Sequence, residues 1–256
     1  MDPDVMVLAA LVLTAFVAGY VDAVAGGGGL LTVPALLLAG LPPAEAVATN
    51  KLQGTFGVAI ASYAFWRAGH LDLRSLRWPI AGAALGAGFG SAMVSVADPG
   101  WLETAAPLAL VLVAGYFALA PSLDRPRVAR AASPLALAAL LAFPVGTYDG
   151  FLGPGAGSFY MAGFVMLAGP SLIEATASTK VLNATSNAVA LLVFLGGGKV
   201  VFMYGLPMAL GQIAGAQLGA ACTLRFGSAI IRPLVIAVSV LMALRLIAAQ
   251  FGAFSG

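Results

Sequence analysis

The 256-residue sequence predicts an all-α, polytopic membrane protein of about eight to ten transmembrane segments, arranged as two inverted repeats with broken or half helices. Three observations carry that prediction. Hydrophobic residues make up 61% of the chain and charged ones only 9%, against roughly 25% charge in a globular domain, and mean hydropathy is +1.01. The apolar residues gather into runs as long as a bilayer is thick. The second half of the chain repeats the first. A soluble chain of this size could not hide so much apolar surface, whereas lipid removes the need to hide it.

A crossing helix needs about 20 apolar residues for a hydrocarbon core of ~30 Å. Apolar segments lie at about 5–25, 30–41, 44–66, 78–97, 103–120, 134–152, 156–169, 173–196, 203–222 and 230–250. The first follows an acidic stretch, Met1–Asp4, and is long enough to span, so it reads as a membrane helix rather than a cleavable signal. Segments 30–41 and 156–169 reach only about 18–21 Å at a rise of 1.5 Å per residue, and are expected as half-helices or re-entrant pieces. The third segment opens after Pro42-Pro43 and the eighth after Pro170, where proline suits a first helical turn. Residues 121–133, with Pro121 and Pro126, form the expected cytoplasmic linker between a first repeat (1–120) and a second (134–256). Trp66, Trp78 and Trp101 stand at segment ends, as interfacial aromatics do.

The repeat is visible residue by residue. Asp22 precedes Asp149 by 127 positions, and Gly26 and Gly28 match Gly153 and Gly155 at the same offset. After a slip of two, Glu45 matches Glu174, Thr49-Asn50-Lys51 matches Ser178-Thr179-Lys180, and Gly82, Gly86 and Gly90 match Gly211, Gly215 and Gly219. Arginines set the orientation, because cytoplasmic loops are enriched in Lys and Arg. Arg67, Arg74 and Arg77 place loop 67–77 inside, and Arg125, Arg127 and Arg130 do the same for 121–133. In the second half, the counterpart of loop 67–77 holds only Lys199, and Arg225 and Arg232 bracket the next loop instead. Matching loops therefore fall on opposite sides, as an inverted repeat requires, and both termini are expected outside.

Four groups of residues are candidates for function. Each opening helix ends in a glycine break, Gly26–Gly29 in one half and Gly153-Pro154-Gly155 in the other, that cannot continue as helix. Broken backbone at membrane depth survives only where protein or a wet cavity satisfies it. The helix that follows points free N–H groups at that cavity, and Gly27, Gly28 and Gly155 are candidate anion contacts; a surface turn is the plainer alternative. Asp22 and Asp149, ionisable inside membrane segments, suit either proton relay or salt bridges to the lysines. Lys51 and Lys180 lie about 12–15 Å into their helices. Thr49, Asn50 and Gln53 surround the first, and Ser178, Thr179, Asn183 and Asn187 the second. An ammonium with amide and hydroxyl neighbours would bind an oxyanion by charge-assisted hydrogen bonds, although a snorkelling lysine is the plainer alternative. The glycine ladders 82/86/90 and 211/215/219 read as small-residue packing faces.

One cysteine, Cys222, and one histidine, His70, offer neither an internal disulfide nor a metal cluster, and no cofactor is expected. A formal charge of +2 gives no footing for nucleic acid. The expected partners are a small anion and membrane lipid, and a homodimer is compatible with the sequence.

Gly26–Gly29 after Asp22, Ala48-Thr49-Asn50-Lys51, Phe65 through His70, and Ser178-Thr179-Lys180 with Asn183 and Asn187 together resemble the sulfite exporter TauE/SafE family over about residues 10–250. The resemblance implies a bacterial inner-membrane permease that exports sulfite, a sulfonate or a related sulfur-containing anion. Gly153-Pro154-Gly155 departs from it in being less purely glycine, which sets the symmetry of the two sites in question. The expected mechanism is alternating access around a midplane site, with the two lysines supplying positive charge. A passive anion channel, an intramembrane aspartyl protease using Asp22 and Asp149, and a lysine-bound chromophore protein are the competing readings. No Gly-x-Gly-Asp motif supports the protease, and few aromatics near Lys180 support the chromophore.

Overall fold

A computed structural model describes residues 4–96 and 132–234, apart from 228 and 232. The expected segment 103–120, nearly all of the linker and most of segment 230–250 lie outside the described residues. Among the described residues every regular element is a helix. They are α1 (Val5–Ala25), α2 (Gly29–Leu38), α3 (Pro43–Arg67), α4 (Arg77–Val96), α5 (Pro134–Phe151), α6 (Ala156–Leu167), α7 (Leu172–Gly196) and α8 (Phe202–Phe226). α5 contains a π-helical turn at Ala138–Ala142.

Local chemistry sets the helix ends. Asp4 caps α1 by accepting from the Met6 amide at 3.0 Å. Pro43 opens α3. A capping box opens α7: the Ser171 hydroxyl accepts from the Glu174 amide at 3.3 Å, and the Glu174 carboxylate accepts from the Ser171 amide at 2.9 Å. α2 and α6 have 10 and 12 residues and stop well short of a bilayer crossing, at about 15–18 Å. α1, α5 and α7 are long and apolar enough to cross a membrane by length and composition.

The helices pack in a reciprocal pattern. α1 lies along α8 and α4 along α5, so each long pairing joins one half of the chain to the other. α3 packs on α8 and α7 on α4, while α3 and α7 meet each other between them. The glycine ladders explain the two long pairings. A Cβ at Gly82, Gly86 or Gly90 would land within 3.0 Å of the carbonyl oxygens of Ala138, Phe143 or Thr147 on α5. A Cβ at Gly211, Gly215 or Gly219 would do the same to Val12, Phe16 or Tyr20 on α1. Backbones this close touch over their length by dispersion alone, the cohesion available where lipid tails offer no hydrophobic drive.

Polarity is distributed as lipid requires. Leu13, Leu85, Leu140, Leu192 and Leu210 are exposed on the outside, while Asp22, Lys51, Asp149, Lys180, Gln53 and Gln212 are buried. Buried alanines and glycines fill the narrow contacts between helices.

Candidate functional site

The two glycine breaks meet in space. Gly26 (φ +77°) abuts Gly157 and Ser158, which open α6, and the Ser158 hydroxyl donates to the carbonyl of Ala25 at 3.0 Å. A side chain at Gly26 would collide with the backbone of Gly157, and its positive φ would strain any other residue. Tyr148 pins the second break, its hydroxyl donating to the Pro154 carbonyl at 2.5 Å. Between the breaks and the flanking faces of α3, α7 and α8 lies a cavity of about 30 Å³. That is room for one or two waters.

Among its walls are Asp22, Asp149, Asn50, Gln53, Asn183, Asn187 and Gln212, together with Gly27, Gly29, Gly153 and Gly155. The structure thus brings together most residues expected from the sequence. Thr49, Ser178, Thr179, Gly28 and the two lysines do not line this cavity. Thr49 serves the fold instead, its hydroxyl accepting from the Val201 amide at 3.0 Å and joining α3 to the start of α8. Ser178 is half-buried, and the buried Thr179 hydroxyl finds no hydrogen-bond partner among the described residues.

Both lysines are fully buried and are paired with the aspartate of the opposite half. Lys51 Nζ lies 2.5 Å from Asp149 Oδ1, and the Ser186 hydroxyl donates to the other oxygen of that carboxylate. Lys180 Nζ donates to the backbone carbonyl of Asp22 and stands 4.0 Å from its Oδ2. Of the two roles open to the aspartates, the geometry displays the salt bridge. The pairs are not equivalent. Asp22 turns its Oδ1 to the amides of Gly27 (3.1 Å) and Gly28 (3.2 Å), so the N-terminus of α2, expected as an anion site, already holds a carboxylate of the chain itself. Gly153 has no side chain because Lys51 Nζ occupies the place: a Cβ there would fall 2.7 Å from it.

A polar chain runs along the α3 wall. Thr32 Oγ1 and Gln53 Nε2 both donate to Asn50 Oδ1, at 2.6 and 2.8 Å. On α7, Asn187 Nδ2 donates to the carbonyl of Asn183 at 2.8 Å. Sequence reasoning missed Gln212, Thr32 and Ser158. A carboxamide inside an apolar segment was the available signal for Gln212, overshadowed by the glycine ladder beside it. Thr32 and Ser158 carried no signal, since hydroxyls routinely bond back to their own helix.

The fold and site define a multi-pass helical membrane protein with a polar, charge-paired centre closed by two broken helices. The chain belongs to the sulfite exporter TauE/SafE family, whose model matches residues 11–246. It is 42% identical to the Sinorhizobium sp protein named "Probable membrane transporter protein ORF9", over 94% of this chain and 92% of that one. It is 41% identical to "Probable membrane transporter protein YfcA" of Escherichia coli K12, over 94% and 90%. A "Probable membrane transporter protein" of Haemophilus influenzae is 37% identical over 96% and 97%. No solved structure matches the chain. The protein is a membrane transporter of this family.

Proposed function

We propose that this chain is a secondary transporter of the bacterial inner membrane that exports a small sulfur-containing anion, such as sulfite or an organosulfonate, and catalyses no reaction on it. The observation that carries the reading is the pair of crossed salt bridges, Lys51–Asp149 and Lys180–Asp22, closing a polar cavity where two broken helices meet.

Two buried charge pairs cost several kcal/mol in desolvation against any apolar core, so their place in a membrane protein argues for use. The ammonium of Lys51 stands directly behind Gly153, a cavity-lining residue, with no side chain between. Small movements of the breaks would turn ammonium and amide groups toward an oxyanion, with the carboxamides of Asn50, Asn183 and Asn187 orienting it. At about 30 Å³ the cavity is constricted, and the anion enters when it opens toward one side.

The moving bodies follow from the packing. The ladders leave no slack between α1 and α8 or between α4 and α5, so α1, α3 and α8 move together against α4, α5 and α7. Rocking of one repeat against the other becomes rocking of two bodies that each mix the repeats. Each salt bridge then joins one body to the other: Lys51 on α3 to Asp149 on α5, and Asp22 on α1 to Lys180 on α7. The reciprocal packing supports two inverted repeats.

The test is flux of labelled sulfite, with thiosulfate, taurine and a carboxylate as competitors, in proteoliposomes of the purified protein. Saturable sulfite counterflow is expected; unsaturable flux would establish a channel. Lys51→Met and Lys180→Met with intact folding should each abolish counterflow, and unchanged counterflow in both would overturn the site.

A further inference from the structure

Resting on the anion reading, we propose that Gln212 selects the substrate. Its amide nitrogen joins those of Asn50 and Asn183 as a third donor, which an anion with three terminal oxygens meets and a carboxylate, with two, does not. The three residues stand on α8, α3 and α7, are each more than nine-tenths buried, and line the same cavity. Among the described residues none of the three nitrogens has an acceptor. The oxygens of Gln212 and Asn183 are enclosed, so their nitrogens are what the cavity meets. Buried donors without an acceptor are costly and rare, and three on one cavity wall mark a place for acceptor oxygens.

Bare backbone makes room for each nitrogen. A Cβ at Gly57 would fall 2.4 Å from Gln212 Cγ and 3.1 Å from its Nε2, and the three atoms nearest that position all belong to Gln212. The side chain from α8 therefore crosses α3 where α3 has no side chain of its own. A Cβ at Gly157 would stand 2.9 Å from Asn183 Nδ2, and one at Gly29 would stand 3.4 Å from Asn50 Nδ2. None of these three glycines has a positive φ, so no turn requires them. Thr32 and Gln53 hold the oxygen of Asn50 and so turn its nitrogen to the other side.

The charged groups on the wall leave these donors free. Asp149 is matched by Lys51 and Ser186, and Asp22 by Lys180 and the amides of Gly27 and Gly28. An amide N–H bonds an oxyanion about twice as strongly as it bonds a neutral oxygen. A carboxylate offers two oxygens whose lone pairs lie in one plane, whereas a sulfo group offers three, spread as a tripod. Donors from three helices around one cavity suit the tripod. An anion that leaves one of them unmet strands a buried donor, and that loss is what discriminates. The set is also asymmetric. At the repeat's offset of 129, Gln212 corresponds to Ala83 and Asn183 to Gly54, so the chain builds one such site rather than two.

Methanesulfonate and acetate share a methyl group and a single charge and differ in the third oxygen, which makes them the probes. The thermal unfolding midpoint of the purified protein in detergent is titrated with each, at one pH and ionic strength. On the unsubstituted protein, methanesulfonate should act at a concentration about tenfold below acetate, the worth of one hydrogen bond to a charge. Gln212→Met, close in shape but without the donor, should weaken methanesulfonate about tenfold and acetate by less than about twofold. Gly57→Ala keeps the Gln212 carboxamide but pushes it aside, and should narrow the same preference. The atoms it displaces belong to a flexible side chain, so it decides the matter where Gln212→Met does not fold. Equal action of the two anions on the unsubstituted protein overturns the proposal. So does a preference that survives Gln212→Met, or that survives Gly57→Ala where only that variant folds. Counterflow of labelled sulfite in proteoliposomes separates this from the transport reading. Counterflow that persists while the two anions act equally removes the selecting role of Gln212 and leaves transport standing. Selective stabilisation by methanesulfonate without counterflow supports Gln212 and removes transport.

Discussion

At the scale of single residues, the centre of the protein is governed by the cost of leaving a charge alone. Lys51 is fully buried beside Asp149, so Lys51→Met strands a carboxylate. The expected loss of stability is about 3–5 kcal/mol. Replacing both partners, Lys51→Met with Asp149→Leu, should recover most of it, because nothing charged remains to desolvate. Unfolding of the purified variants in graded denaturing detergent measures both, and equal losses in single and double variants would show that the pair is not coupled. The Lys180–Asp22 pair is looser at the carboxylate, with Asp22 also serving the α2 amides. Asp22→Asn keeps an acceptor for those amides and should destabilise less than Asp22→Leu, which abandons them, by about 1 kcal/mol or more.

At the scale of helices, the ladders decide which surfaces are fixed. Gly215→Ala places a methyl group against the Phe16 carbonyl of α1, and backbone cannot step aside as a side chain can. A loss of about 1–3 kcal/mol is expected, with α1 and α8 pushed apart. Gly88→Ala, on α4, meets only the Val189 side chain at 3.6 Å, an ordinary contact. It should be neutral, or stabilising by up to about 1 kcal/mol through helix propensity. Thermal unfolding of the two variants side by side checks the contrast, and equal behaviour would mean that close backbone approach is not what holds α1 to α8. Much at this scale was readable beforehand. The spacing of Gly82, Gly86 and Gly90 announced a packing face, and the shortness of the segments after Gly29 and Gly155 announced half-length helices. The partner of each ladder was not readable, since a small-residue face accepts any helix that can approach it.

At the scale of the whole molecule, the proposed inversion of the two repeats makes a prediction about sides. The α3–α4 loop, with Arg74 and Arg77, belongs in the cytoplasm, and the α7–α8 loop, with Lys199, belongs outside. Ser75 and Lys199 are both exposed. In a Cys222→Ser background, Lys199→Cys should react with an impermeant maleimide on intact cells, and Ser75→Cys only after permeabilisation. Labelling of both from the same side would refute inversion.

Composition alone determined that lipid is this chain's solvent, and the duplicated Asp, Lys and Gly positions marked two matching points in the chain. Those are properties of the chain taken in order: hydropathy sums locally, and a repeat is a one-dimensional pattern. Only the tertiary structure decided that Lys51 answers to Asp149, 98 positions away, and that Lys180 answers to Asp22, 158 positions away. It also decided that Gln212, from the far end of the chain, completes the same wall as Gln53. A buried charge takes the partner that packing brings within reach, and helix packing is a contest among surfaces that no local window of sequence contains.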